Sequence, residues 1–271
     1  MKSEAEINSI ITDFSAIIEK TKPLINKNTD SYNYLQNYLY FMHYLLFSFT
    51  ESIIILYREN KFHAASVLLR SVVEGHINIV YHQLGDTNKK LALSAKESAD
   101  SRLTVINKLG ELIRKYSNLE SQDPRALLSK KYLEDIRQDV NKQRQGILNG
   151  NDIAEKDKAL NMEEKARKCD EENKNIEKGH FERMYTVIYR YLSPVAHLNI
   201  ESINTIIRTD GNKAYKFDEG TIGKTCVVDA IGICVAYIKD LYENNLIEGK
   251  IHDEVLSLEK KLGEVYSDFK S

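Results

Sequence analysis

The sequence predicts an all-α protein, a helical bundle, and three observations lead to this prediction. Only 12 glycines and 3 prolines punctuate 271 residues, too few for short strands that must turn roughly every 8–12 residues. Apolar residues recur at spacings of three and four along several long segments, which is the period of an α-helix. With 42% hydrophobic and 29% charged residues, the chain can bury a core and keep an ordinary polar surface.

A long antiparallel helix hairpin is predicted at the centre of this bundle. A first helix over residues 4–21 ends before Pro23, which cannot continue it. The second helix runs from about Tyr32 to Arg58 and is apolar on almost all sides. The third runs from about Phe62 to Gln83 after a very short connection, so it packs antiparallel to the second.

The middle of the chain predicts further helices with a charged surface. An amphipathic helix covers about residues 89–116. Asp123-Pro124 has the chemistry of an N-cap followed by proline at the first helical position, so another helix should run from there to about Arg144. Residues 149–180 contain few apolar anchors, and we expect one short helix there, near Met162 to Cys169.

The last third of the sequence predicts helices around one small β-hairpin. Asp210-Gly211-Asn212 has the composition of a hairpin turn between two short strands. The predicted segments are a helix at 181–191 interrupted by Ser193-Pro194, strands at 203–208 and 214–217, and helices at 221–244 and 253–269. We divide the chain into an N-terminal helical extension (1–30), a main helical domain (31–250) with a charged insertion near 85–180, and a C-terminal helix (251–271).

Composition and motifs exclude several classes of function. The formal net charge of -2 gives no general nucleic-acid signature, and no phosphate loop, nucleophile elbow or HExxH motif occurs. His76 and His82 lack a third ligand at a helical spacing, so we expect no metal and no cofactor. Three dispersed cysteines and an acidic N-terminus favour the cytoplasm.

The apolar stretch from Tyr38 to Tyr57 is the one membrane-like segment. His43, Thr50 and Glu51 interrupt it, and such residues are costly in a transmembrane span. We therefore expect a buried core helix here and no membrane partner.

A first polar cluster lies within the apolar third helix. Arg70 and Glu74 are four residues apart, so they share one helical face and can form an ion pair, and Asn78 follows at the same spacing. Two interpretations stay open. The pair either fixes helix register as a partly buried structural contact or contributes to a functional site.

A second polar cluster extends from Tyr185 to His197. Tyr185, Tyr189, Arg190, Ser193 and His197 crowd this segment. In a continuous helix Arg190 and His197 would lie on one face, two turns apart. Such a pair could cleave RNA without metal, with His197 transferring protons and Arg190 stabilising the phosphorane. A hydrogen-bonded structural network would have the same composition.

Three sequence strings carry a resemblance to a known family. The strings AASVLLRSVVEGHINIVYH, LNMEEKARKCD and YTVIYRYLSPVAHLN, with a hairpin before a late helix, resemble the bacterial domain-of-unknown-function family numbered fifty-six seventy-seven over about residues 60–245. That family is similar to the all-helical HEPN superfamily (higher-eukaryote and prokaryote nucleotide-binding). The Arg-x4-6-His motif of that superfamily serves metal-independent RNases in toxin and phage-defence systems, and it falls on Arg190 and His197. The chain departs from the usual motif at Tyr191 and Pro194.

The resemblance implies a HEPN-like endoribonuclease, a hydrolase of a toxin or antiviral defence system, and we expect it to act on RNA as a cytoplasmic homodimer. Arg190 and His197 would be catalytic, supported by Arg70, Glu74, Asn78, Tyr185, Tyr189 and Ser193. The alternative is a non-enzymatic helical module that binds a protein partner or small ligand. In that case these side chains form a structural network.

Overall fold

A computed structural model describes residues 3–21, 33–123, 125–173, 177–189, 207–210, 213–216, 219–247 and 251–268. The described residues are predominantly helical, so the all-α class is confirmed. The chain divides into two units: Met1–Tyr81 with Met162–Ser271 form the first, and His82–Asn161 form the second.

The helices of the described residues are α1 (Glu4–Thr21), α2 (Tyr34–Arg58), α3 (Phe62–Gln83), α4 (Thr87–Lys115), α5 (Lys130–Gly150), α6 (Met162–Glu172), α7 (His180–Met184), α8 (Glu219–Glu243) and α9 (His252–Asp268). A 3-10 turn, Ser117–Leu119, follows α4, and a π-helical turn, Tyr185–Tyr189, follows α7. Two short strands, β1 (Ile207–Asp210) and β2 (Lys213–Lys216), pair antiparallel.

Helices α2 and α8 form the centre of the first unit. Cys234 of α8 is buried, and its Sγ lies 3.1 Å from the Thr50 hydroxyl of α2. The buried Tyr237 hydroxyl donates to the Leu39 carbonyl. These bonds satisfy polar groups that would otherwise be buried without partners. They therefore fix the two helices face to face.

Helix α2 has one buried and one exposed apolar face. Leu39, Leu46 and Ile53 are buried, at the seven-residue spacing of a helical face. On another face Phe41 and Ile55 are 65% and 59% exposed. The helix is thus only partly the buried core helix that the sequence predicts.

Length and apolar composition alone would let one helix among the described residues, Leu35–Arg58, cross a membrane. Within its most apolar 18 residues, 39% of the segment is buried. A core helix of a globular protein meets the same criteria, so the finding is weak evidence for a span.

The second unit is a hairpin of α4 and α5 with its own core. Ala99, Ile106 and Ile113 follow each other at intervals of seven along α4, and they meet Leu133 and Val140 of α5. A seven-residue repeat keeps one apolar seam facing a neighbouring helix. The hairpin therefore buries its apolar stripe internally.

The predicted start of α5 at Asp123-Pro124 is wrong. The helix begins at Lys130 after the N-cap position Ser129, and it continues to Gly150 rather than to Arg144. Asp123 Oδ1 accepts the backbone N–H of Arg125 at 2.9 Å, only two residues away. The carboxylate thus caps a local turn, which explains why the N-cap chemistry was misleading.

Candidate functional site

Helix α3 presents a line of polar side chains beside its buried apolar face. Arg70 Nε donates to Glu74 Oε1 at 3.1 Å, which confirms the predicted pair. Their side chains are only 19% and 32% exposed, while Leu69 and Val73 beside them are buried. Partial burial strengthens the attraction between the two charges, so α3 holds the guanidinium in a defined position.

Asn78, one turn beyond Glu74, binds a lysine from a distant part of the sequence. Lys165 Nζ of α6 donates to Asn78 Oδ1 at 2.9 Å. The ammonium also lies 5.7 Å from the centre of the Tyr81 ring, within reach of a cation–π interaction. Because Lys165 is buried, these contacts offset part of the cost of removing its charge from water. Asn78 therefore contributes to a buried polar cluster.

Helix α6 positions Lys165 through its small residues. Ala166 and Cys169 are buried, and the Cys169 thiol donates to the Ile77 carbonyl of α3 at 3.7 Å. Sequence reasoning did not assign a role to Lys165. The available signal was the Met162, Ala166 and Cys169 spacing, which marks the face of α6 that turns toward the core and puts Lys165 beside it.

The phenol of Tyr81 is perturbed by the same surroundings. Burial raises the pKa of Tyr81, and the carboxylates of Glu172 and Glu164 raise it further. A phenol in this state keeps its proton at neutral pH. Tyr81 therefore offers a neutral ring face and a hydroxyl to the cluster, not a negative charge.

Asp170 of α6 anchors the start of α7. Its two carboxylate oxygens accept the backbone N–H groups of Phe181 at 3.0 Å and Glu182 at 2.9 Å. The Phe181 ring is fully buried, with its centre 5.6 Å from that of His76 of α3. The chain that leads to Arg190 is thus attached to α3 at His76.

His76 is an unusual group within this contact. Burial, and secondarily the nearby His180, lowers the pKa of His76 to about 4. Its Nδ1 is buried, and no described residue provides it with a hydrogen-bond partner. The ring is therefore neutral at physiological pH. Among the described residues no group of three or more His, Cys, Asp or Glu could hold a metal ion.

The π-helical turn Tyr185–Tyr189 ends one residue before Arg190. Tyr185 is half-buried, and Tyr189 is described by its backbone only. Arg190, Ser193 and His197 lie outside the described residues. Their approach to Arg70 and Glu74 stays a prediction, whereas the structure does bring together Arg70 with Glu74 and Asn78 with Lys165.

The polar line on α3, together with Lys165 of α6, contains two cationic groups: Arg70 is paired with the Glu74 carboxylate, and Lys165 is bound to the neutral Asn78 amide. Arg70 and Lys165 are each bound to a neighbouring side chain, so their cationic groups are oriented before any ligand binds. Cations oriented in this way suit the binding of an anionic group such as a phosphate. The arrangement contains no nucleophile with an adjacent base among the described residues.

The comparison with protein families gives a match over the middle of the chain. A family model described as a family of unknown function (DUF5677) matches residues 36–214. This range contains the polar line of α3, Lys165 and the π-helical turn, and it leaves α1, α8 and α9 outside. No curated protein and no solved structure shows significant similarity.

Proposed function

The chain belongs to the family of unknown function DUF5677, and we propose that it is a HEPN-like, metal-independent endoribonuclease. Arg190 and His197 form its catalytic pair. The observation that carries this proposal is the π-helical turn Tyr185–Tyr189 directly before Arg190. Turns of this kind often occur at functional sites, because the extra residue redirects the side chains around it.

The polar line of α3 gives a second line of support. Phe181 binds the beginning of the Arg190 segment to His76, and Arg70 lies six residues before His76 in the same helix. We assign Arg70 to phosphate binding and Glu74 to its orientation. Charged residues are normally avoided in such an apolar helix unless they are paired or functional.

The proposed reaction is cleavage of RNA by its own 2′-hydroxyl. His197 removes the proton of this hydroxyl, and the 2′-oxygen attacks phosphorus while the 5′-oxygen leaves with a proton. Arg190 stabilises the charge that develops on the phosphoryl oxygens. A cytoplasmic homodimer would supply a second Arg190/His197 pair for the second proton transfer. This chemistry fits the RNases of toxin and antiviral defence systems that the sequence resembles.

We expect the wild-type chain to cut single-stranded RNA in EDTA and to leave 2′,3′-cyclic phosphate ends. Because a proton-transfer residue contributes about 10²–10⁴-fold in rate, His197→Ala should reduce cleavage on that scale. Arg190→Lys should also fail, since a point charge cannot replace the planar guanidinium. Gel assays with end-labelled RNA measure these rates.

The matched control is His252→Ala, because His252 is exposed at the start of α9 and should not change the rate. His76 should also be dispensable for chemistry, but its burial means that its removal leaves a cavity. Circular dichroism must show that each variant is still folded. An inactive wild-type chain, or a folded His197→Ala variant that cuts at the wild-type rate, would refute the RNase.

One observation favours the alternative of a non-enzymatic binding module. The described polar groups form pairs with each other, Arg70 with Glu74 and Lys165 with Asn78, as in a structural network. If that is their whole role, Glu74→Gln should lower the melting temperature. In an RNase, Glu74→Gln should lower the cleavage rate of a protein that is still folded.

A further inference from the structure

The connection between α4 and α5 exposes an unusual number of apolar side chains. Leu112, Tyr116, Leu119 and Leu127 are 43%, 45%, 42% and 59% exposed. All four lie at the end of the hairpin where the chain turns. We call this surface, with the basic residues Arg114, Lys115, Arg125 and Lys131, the hairpin tip.

The core cluster of this unit does not include these four side chains. The core of this unit ends at Ile113 and Leu133, which are both buried. The turn itself is held by backbone bonds, such as Ser121 N to the Leu128 carbonyl at 3.2 Å. Clustered apolar side chains that the core does not use commonly mark an interaction surface.

The net charge at the hairpin tip is positive. Residues 108–131 contain six basic and three acidic residues, a net charge of +3, whereas the whole chain has a net charge of -2. Glu120 is bound by Lys130 at 2.7 Å, and Asp123 accepts a backbone N–H. Within the described part of the chain, by contrast, no ion pair is formed by the four exposed cations of the tip.

We propose that the hairpin tip docks on an anionic phospholipid surface. Lysine and arginine bind the headgroups electrostatically, while leucine and tyrosine side chains enter the boundary between headgroups and acyl chains. Lys115 Nζ already lies 5.1 Å from the centre of the Tyr116 ring, so cation and ring point to the same place. The proposal is independent of the RNase activity.

Two other partners fit the hairpin tip less well. Single-stranded RNA is bound by stacking on aromatic rings, and three of the four exposed apolar residues are leucines. A stable protein interface needs about 800 Å² from each partner, which is more than four side chains on one turn provide. Membrane docking needs only a few inserted side chains beside basic residues.

The test is sedimentation of the full chain with vesicles of phosphatidylcholine, with and without about 30% phosphatidylglycerol. We expect binding to the anionic vesicles only, and its loss when NaCl is raised from about 0.1 to about 0.5 M. The Leu119→Ser/Leu127→Ser and Arg114→Glu/Lys115→Glu variants should each bind at least about tenfold more weakly. Leu256→Ser, which removes an exposed leucine of α9, is the matched control and should bind like wild type.

Substitutions at exposed sites usually change stability little, so all variants should keep the wild-type helicity and melting temperature. Equal binding to neutral vesicles, or unchanged binding by both tip variants, would overturn the proposal. If the wild-type chain does not bind vesicles, and the Arg114→Glu/Lys115→Glu variant loses RNA binding, the tip is an RNA contact. Loss of RNase activity in His197→Ala has no bearing on this result.

Discussion

His76 shows how one buried side chain can set the acid sensitivity of the first unit. Its ring is 8% exposed and contacts Phe181, and its pKa is lowered from 6.5 to about 4. Between pH 6.5 and about pH 4, His76 therefore binds a proton in the unfolded chain but not in the folded chain. Stability conferred by neutral His76 is present above pH 6.5 and is lost as the pH falls from 6.5 toward 4.

We predict that His76→Leu reduces this acid sensitivity. A shift of this size corresponds to an upper bound of about 3 kcal/mol, so the wild type should lose up to that much more unfolding free energy than the variant between pH 7 and pH 4. Urea titrations at several pH values measure the difference. His252→Leu, at an exposed position, should keep the wild-type slope. Parallel pH profiles of wild type and His76→Leu would contradict the pKa shift.

Single residues differ in how far the sequence predicts them. The Arg70–Glu74 pair follows from its spacing, because residues four apart are neighbours on any helix. The Asn78–Lys165 pair joins positions 87 residues apart, and only the packing of α6 on α3 brings them together. Local periodicity contains no information about such contacts, so the sequence did not predict Lys165.

Among the elements, the close approach of α8 to α3 depends on one glycine. A Cβ at Gly223 would lie 2.2 Å from Phe62 Cδ1, well inside the contact distance of two carbon atoms. Phe62 begins α3 and also contacts Tyr57 of α2, with ring centres 5.8 Å apart. The glycine thus lets three helices meet around one aromatic ring.

We predict that Gly223→Ala destabilises the protein by about 1–3 kcal/mol, because the added methyl group displaces the ring. Gly263→Ala is the matched control. It lies within α9 with open space around it, so the helix propensity of alanine should add up to about 1 kcal/mol. Thermal or urea unfolding compares the two. In a Phe62→Ala background, Gly223→Ala should no longer lower the free energy of unfolding. Equal effects of the two glycine variants in the wild-type background would disprove the close approach.

The sequence predicts the ends of a helix well where its apolar period stops at residues that favour a turn. The bounds of α3, Phe62–Gln83, are those that the sequence predicts, because apolar spacing and flanking residues agree. The start of α5 was mispredicted, since Asp123 satisfies an N–H within its own turn. An aspartate can cap a helix or a local turn through the same kind of hydrogen bond to a backbone N–H. The sequence around Asp123 therefore does not show which of the two forms.

At the scale of the whole molecule, the sequence predicts the amount of apolar surface better than its location. The expectation of no membrane partner considered only transmembrane spans, and the proposed hairpin tip differs from a span in size and chemistry. Similarly, an apolar period predicts α2 as a core helix, yet Phe41, Tyr44, Leu45 and Ile55 of its outer face are exposed. Ser48 and Glu51 interrupt this face, but a soluble monomer rarely exposes so many large apolar side chains on one helix.

We predict that this outer face of α2 is the contact surface of the proposed homodimer. Phe41 and Ile55 are 14 residues apart, so this face is about 21 Å long, and aromatic side chains are enriched at the centre of interfaces. A two-fold axis would pair α2 with its copy through the same residues on both sides.

Light scattering at micromolar concentration should give twice the chain mass of 31.2 kDa. Phe41→Ser/Leu45→Ser should shift the mass toward the monomer, whereas Leu256→Ser, at an exposed leucine of α9, should leave a dimer. A wild-type chain that stays monomeric under these conditions would remove both the dimer and the composite active site that depends on it.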